Sequence, residues 1–150
     1  MTAADRRLAA ELFNHAWTLL ETDARTPEQD DEMVHAAHAS ACFWLRVGTA
    51  QNHFRSHWQL ARVYAALGRA EPALHHAERA RVLCCDRALS PFDHACLFEV
   101  NARALAAAGR LTEARISLQR ARLVAAGLTD PQEIAVMQTD IAATQSTLTP

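Results

Sequence analysis

Apolar residues recur every three or four positions along nearly the whole chain, in blocks that end at glycine and begin at proline or a capping residue. The four glycines stand at positions 48, 68, 109 and 127, and prolines open blocks at 27, 91 and 131. This period gives one apolar face to an α-helix, while glycine and proline mark where helices end and begin. The pattern therefore predicts an all-α fold of about seven helices.

The predicted helices form three antiparallel pairs followed by a single helix that caps the domain. Thr26 with Gln29, and Asp130 with Glu133, have the spacing of capping boxes at helix starts. Gly48 is expected to end the second helix in the left-handed conformation that glycine tolerates. The expected units of this single domain are a first pair at 3–47, a second at 51–85, a third at 91–126, and a capping helix at 130–147.

The composition excludes several kinds of chemistry. The chain has 15 arginines and no lysine, which excludes Schiff-base lysine chemistry and the phosphate-binding P-loop. The glycines stand too far apart for a glycine-rich phosphate loop or a nucleophile elbow. With no catalytic motif in view, we expect a protein that is not an enzyme and that uses neither a cofactor nor a metal.

Segments that would direct the chain to a membrane are not expected. The N-terminus carries Asp5, Arg6 and Arg7 where a signal peptide needs an apolar run. No stretch approaches the roughly 20 apolar residues that cross a bilayer. The expected location is the cytoplasm, with reduced cysteines, because the four thiols follow no C-x-x-C spacing. For the adjacent Cys84 and Cys85, an ordinary buried or half-buried pair is favoured over redox chemistry.

Charge is unevenly distributed along the chain. Residues 1–32 carry eight acids and three arginines, a net charge of −5, whereas residues 79–122 carry eight arginines and four acids, a net charge of +4. This asymmetry can orient a partner protein or a second copy of the chain. It falls short of the strongly basic balance of a nucleic-acid-binding protein, so nucleic acid is disfavoured as a partner.

Residues 60–80 combine Leu60, Ala61 and Tyr64 with Gly68 and, after it, alanines at positions 73, 77 and 80. This segment resembles the tetratricopeptide repeat (TPR), in which small residues let two antiparallel helices approach closely. A weaker copy lies in 1–47, and the main copies are 41 residues apart, which predicts a long loop at 86–91. The resemblance implies a short right-handed superhelix of helix pairs that binds a protein or peptide. The layout is also similar to that of small TPR-like bacterial proteins, which implies no activity. The matching positions are Leu60, Ala61, Tyr64, Gly68, Ala73, Ala77 and Ala80, then Ala102, Leu105, Gly109, Ala114, Leu118 and Ala121.

In TPR proteins the first helix of each pair lines a concave groove. At 100° per residue, Arg55, Trp58 and Arg62 share the face of the third helix opposite its packed side. Glu99 and Arg103 hold the equivalent positions on the fifth helix. We therefore expect an open groove of aromatic and guanidinium groups, suited to a peptide or ligand with a carboxylate or phosphate.

Eight histidines provide a second candidate site. Glu32, His35 and His38 share a face of the second helix, and His53 lies on the neighbouring third helix. Such a set could bind a metal or small ligand, or act in acid–base catalysis. No H-E-x-x-H motif supports a metal, and structural roles are favoured. His75 and His76 are expected to pair with acids on the surface.

Overall fold

The computed structural model describes residues 2–86 and 89–149, which contain seven α-helices and no β-strand. The prediction of an all-α fold is confirmed. Residues 87 and 88, in the loop predicted at 86–91, lie outside the described residues. The helices are α1 (Ala3–Leu20), α2 (Pro27–Val47), α3 (Ala50–Ala66), α4 (Ala70–Asp86), α5 (Pro91–Ala107), α6 (Leu111–Ala125) and α7 (Pro131–Thr147).

Side-chain caps define several helix starts. The capping box at Thr26 is confirmed: the hydroxyl accepts from the Gln29 N–H, and the Gln29 side-chain oxygen accepts from the Thr26 N–H at 2.9 Å. At α7 the Asp130 carboxylate accepts from the Gln132 N–H at 2.7 Å. This bond differs from the predicted capping box, which pairs Asp130 with Glu133.

Gly48 is needed for a steric reason rather than for a left-handed conformation. Its φ is −85° and its ψ is 168°, an extended geometry, so the prediction of a left-handed cap is wrong. A Cβ at this position would lie 2.5 Å from the Trp44 carbonyl oxygen, because Thr49 caps α3 immediately after α2 ends. Gly68 and Gly109 do take positive φ angles, 66° and 71°, at the turns after α3 and α5.

The helices pack as three consecutive pairs, α1 with α2, α3 with α4, and α5 with α6. The odd-numbered helices also contact one another in sequence, and α7 packs on α5 and α6. Within residues 2–86 and 89–149, the backbones of the even-numbered helices stay apart, while α2 and α4 meet through side chains: the rings of His38 and His76 lie 5.7 Å apart. The TPR-like superhelix stays a prediction.

Alanines provide the close contacts between paired helices. In α4, Ala73 and Ala80 are fully buried, and in α6, Ala114 and Ala121 are fully buried. A methyl side chain occupies little volume, so these positions set the distance between α3 and α4 and between α5 and α6. Of the helices described, none combines the length and apolar character needed to cross a bilayer.

Candidate functional site

The stripe predicted to line an open groove is largely buried. Trp58 and Arg62 each retain only 9% of their exposure, so the expectation that they point into an open groove is wrong. The Trp17 ring of α1 lies 5.2 Å from the Trp58 ring, and the Arg62 guanidinium lies 4.8 Å from the centre of Trp17. Cation–π contact and aromatic packing therefore cover the stripe from the α1 side.

From the other side, α7 covers the stripe with a carboxylate. Arg62 donates two hydrogen bonds to the Asp140 carboxylate, at 2.6 and 3.1 Å. Arg103 donates to the Glu99 carboxylate and to the backbone carbonyl of Asp140. The Thr144 hydroxyl also donates to Glu99. We call these five residues of α3, α5 and α7 the buried charge cluster.

The charges of the buried charge cluster are coupled to one another. Burial raises the pKa of Glu99 although Arg103 and Arg62 oppose that shift. Burial disfavours the charge of Arg62, but Glu99 and Asp140 outweigh it and raise the Arg62 pKa. One carboxylate oxygen of Glu99 has no hydrogen-bond donor and lies 3.9 Å from the Arg62 guanidinium. Each charge therefore depends on the others for compensation.

Arg55, the remaining residue of the predicted groove, is also paired. Its Nε donates to the buried Asp93 carboxylate at 3.0 Å, and Gln51 donates to the same carboxylate at 2.8 Å. The structure thus brings the predicted residues together on one face, but it pairs them with acids that sequence reasoning missed. The sequence does indicate that Asp140 faces inward: its spacing from Met137 and Thr144, which are buried, places the three residues on one face of α7.

The histidine site predicted on α2 and α3 is divided in the structure. Glu32 is exposed and pairs with His15, with the carboxylate 2.8 Å from the ring nitrogen. His35 is also exposed. His38 contacts the Tyr64 hydroxyl at 2.8 Å, and His53 contacts the Trp44 carbonyl at 2.9 Å. Of these four predicted residues, His38 and His53 line a common cavity, and Glu32 and His35 do not line it.

That cavity lies between α2 and α4, over α3, and has a volume of about 230 Å³. His76 lies at its wall and not in a surface pair with acids: its Nδ1 is 2.9 Å from the Nδ1 of His57, and its ring is stacked on Tyr64. We call the cavity the histidine cleft. It is lined by His38, Ala41, Cys42, Leu45, His53, Ser56, His57, Leu60 and His76.

Burial favours the neutral form of three imidazoles of the histidine cleft. Burial lowers the pKa of His57 to about 4 and that of His76 to about 3, and burial also lowers the pKa of His38. Neutral imidazoles are suitable metal ligands. In the part of the chain that the structure describes, however, no three His, Cys, Asp or Glu side chains are arranged to hold a metal ion.

These lowered pKa values predict acid sensitivity. The unfolded rings bind protons below about pH 6.5, whereas the folded rings resist protonation down to about pH 4 and 3. The stability that these two neutral rings contribute is therefore fully present above pH 6.5 and is lost as the pH falls from 6.5 toward the folded pKa values. Because both rings are only partly buried, we expect the loss from them to be about 1 kcal/mol between pH 6.5 and 4.5.

Urea unfolding at several pH values measures this loss. His57→Gln combined with His76→Gln should flatten the profile relative to the parent, while His35→Gln, at an exposed position on α2, should leave the slope unchanged. A double variant with the same slope as the parent would show that the two rings do not resist protonation.

A second cleft lies one helix pair further along, between α4 and α6 over α5, with a volume of about 310 Å³. Positions 41 residues apart correspond in the two clefts, with Phe98 in place of His57 and Ser117 in place of His76. Ile116, 53% exposed, lies at its edge. We call it the arginine cleft. It is lined by Ala77, Arg81, Leu97, Phe98, Asn101, Leu105, Glu113, Ile116, Ser117 and Arg120.

A cysteine–histidine contact lies near the start of α5. The Cys84 Sγ lies 3.2 Å from the His94 Nδ1, a separation found in nucleophilic dyads. Burial raises the pKa of the Cys84 thiol to about 11. Because the thiolate is the nucleophile, this contact has the character of a structural hydrogen bond. Its neighbour Cys85 is exposed.

Comparison with models of protein families, with curated proteins and with solved structures found no significant match.

Proposed function

We propose that the chain is a non-catalytic helical-repeat module that binds a peptide segment of a partner protein in the arginine cleft. The observation that carries the proposal is an open cleft with an apolar floor and the exposed Arg120 at its edge. Arg81, which also lines the cleft, is paired with Glu78. Leu97 and Leu105 form the floor, and Phe98 and Ile116 add apolar surface. Such a combination of apolar pocket and placed polar groups suits recognition of a side chain flanked by charged residues.

The charge distribution favours an acidic partner. Residues 79–122 carry a net charge of +4, and two of their four acids, Asp93 and Glu99, are buried and paired with arginines. The negative charges of these two acids are therefore neutralised inside the fold. The excess of arginine over acid in residues 79–122 lies at the surface. Arg120 is exposed at the cleft edge, where it can donate to a carboxylate. The expected segment has an apolar residue next to aspartate or glutamate.

The proposal relocates the binding surface from the odd-numbered to the even-numbered helices. The side chains of the predicted groove stabilise the fold; they are Arg55, Trp58, Arg62, Glu99 and Arg103. The partner binds on the opposite side of α5. We place the module in the cytoplasm, where cysteines such as the exposed Cys42 and Cys85 stay reduced.

Selection from a displayed random-peptide library tests the proposal, followed by affinity measurement on the enriched peptides by fluorescence polarisation. We expect acidic peptides with a large apolar residue. Ile116→Ser and Arg120→Glu should each weaken their binding about tenfold or more, equivalent to about 1.4 kcal/mol. Leu123→Ser is the control, because Leu123 is 68% exposed on the same helix but lies outside the cleft. Enriched peptides that bind all three variants with parental affinity would contradict the proposal.

A further inference from the structure

We infer that the histidine cleft is a binding site for a small uncharged aromatic molecule that carries a hydroxyl or a ring N–H, such as a phenol or an indole. This inference goes beyond the proposed function, because the cleft lies between α2 and α4, one repeat away from the arginine cleft. Its failure would leave the peptide surface unaffected.

The volume and the apolar lining set the size and character of the ligand. An engineered apolar cavity of about 150 Å³ is known to bind benzene, so about 230 Å³ suits a molecule of one or two rings. Ala41, Leu45 and Leu60 supply aliphatic surface. The flat imidazoles of His57 and His76 add aromatic surface, which favours offset or edge-to-face contact with another ring.

The paired histidines supply one donor and one acceptor. Two neutral imidazoles whose Nδ1 atoms lie 2.9 Å apart share a single proton in that contact. The ring that donates through Nδ1 keeps Nε2 as an acceptor, and the ring that accepts carries its proton on Nε2. Whichever ring donates, the pair retains one acceptor and one donor. A ligand hydroxyl can donate to the acceptor or accept from the donor, and an indole N–H can donate to the acceptor.

The lining also explains why the ligand is uncharged. No aspartate, glutamate or arginine lines the histidine cleft, and burial keeps its two central imidazoles neutral at pH 7. A charged group in this mostly apolar cleft would lose hydration without a counter-charge. The arginine cleft, in contrast, is lined by charged side chains: Arg81, which is paired with Glu78, together with Glu113 and Arg120. The two clefts therefore select different chemistry from the same position in successive repeats.

Titration with phenol, indole and benzoate at pH 7.5, followed by protein chemical shifts, tests the inference. We expect phenol and indole to bind saturably, with a Kd of about 1 mM or tighter, and to shift the signals of α2 and α3 residues in the cleft. Benzoate, which matches phenol in size but carries a charge, should bind at least tenfold more weakly. Zinc ions are titrated in parallel.

Two substitutions introduce a phenylalanine whose ring would occupy the histidine cleft. Ala41→Phe and the more exposed Cys42→Phe should each weaken phenol binding at least tenfold, whereas Ala135→Phe, on the exposed side of α7, should leave it unchanged. Circular dichroism selects the variants that fold, and Cys42→Phe serves if Ala41→Phe does not. The absence of saturable binding, equal binding of benzoate, unchanged binding in a folded cleft variant, or displacement of phenol by zinc would each overturn the inference.

Discussion

Replacement of Arg62 by alanine is expected to lower the free energy of unfolding by about 3–5 kcal/mol, the usual loss when one partner of a buried ion pair is removed. Arg62 is 9% exposed and compensates both Asp140, through two hydrogen bonds, and Glu99, at 3.9 Å. Without it, two carboxylates remain buried with only Arg103 nearby. The variant also loses the guanidinium stacked on Trp17.

Urea unfolding monitored by circular dichroism measures this change. Arg69→Ala is the matched control, because Arg69 is exposed and its removal should change the unfolding free energy by less than about 0.5 kcal/mol. If both variants were equally stable, Arg62 would be free to act in an open groove, and the structural assignment of the buried charge cluster would be wrong.

Ala73→Leu and Ala114→Leu are expected to lower stability by about 1–3 kcal/mol or more, because a larger side chain overpacks a close helix contact. Both alanines are fully buried where α4 meets α3 and where α6 meets α5. At about 2–4 °C per kcal/mol for a chain of this size, the thermal midpoint should fall by several degrees. Differential scanning calorimetry records the fall.

Ala65→Leu provides the comparison for these two variants. Ala65 lies on α3 and keeps part of its exposure, so leucine there can extend toward solvent. The thermal midpoint of this variant should stay close to that of the parent. Equal tolerance at all three positions would show that the helix pairs do not meet where the alanine spacing places them.

Local sequence signals were sufficient for the helices. The apolar period and the positions of glycine and proline placed their ends within one or two residues, because caps and turns depend on neighbouring residues. Gly48 shows where this reasoning fails. The pattern predicts a left-handed cap at this glycine, whereas Thr49 caps the next helix immediately and leaves space only for a residue without a Cβ.

The site was harder to predict, because helical spacing shows which residues share a face but not what covers that face. Arg55, Trp58 and Arg62 do lie together, as their spacing predicts. The acid that pairs with Arg62 is 78 residues away, on a helix whose docking no local pattern specifies. The contact of His57 with His76 depends in the same way on how α3 and α4 pack.

Chemical-shift mapping of a selected peptide on the ¹⁵N-labelled protein tests the central claim most directly, namely that the face of the odd-numbered helices is structural and the partner binds between the even-numbered helices. We expect the largest shifts at Phe98, Ile116 and Arg120 in the arginine cleft. Shifts concentrated at Trp17, Arg55 and Arg103 would place the partner in the groove that the structure shows to be closed, and would contradict the account.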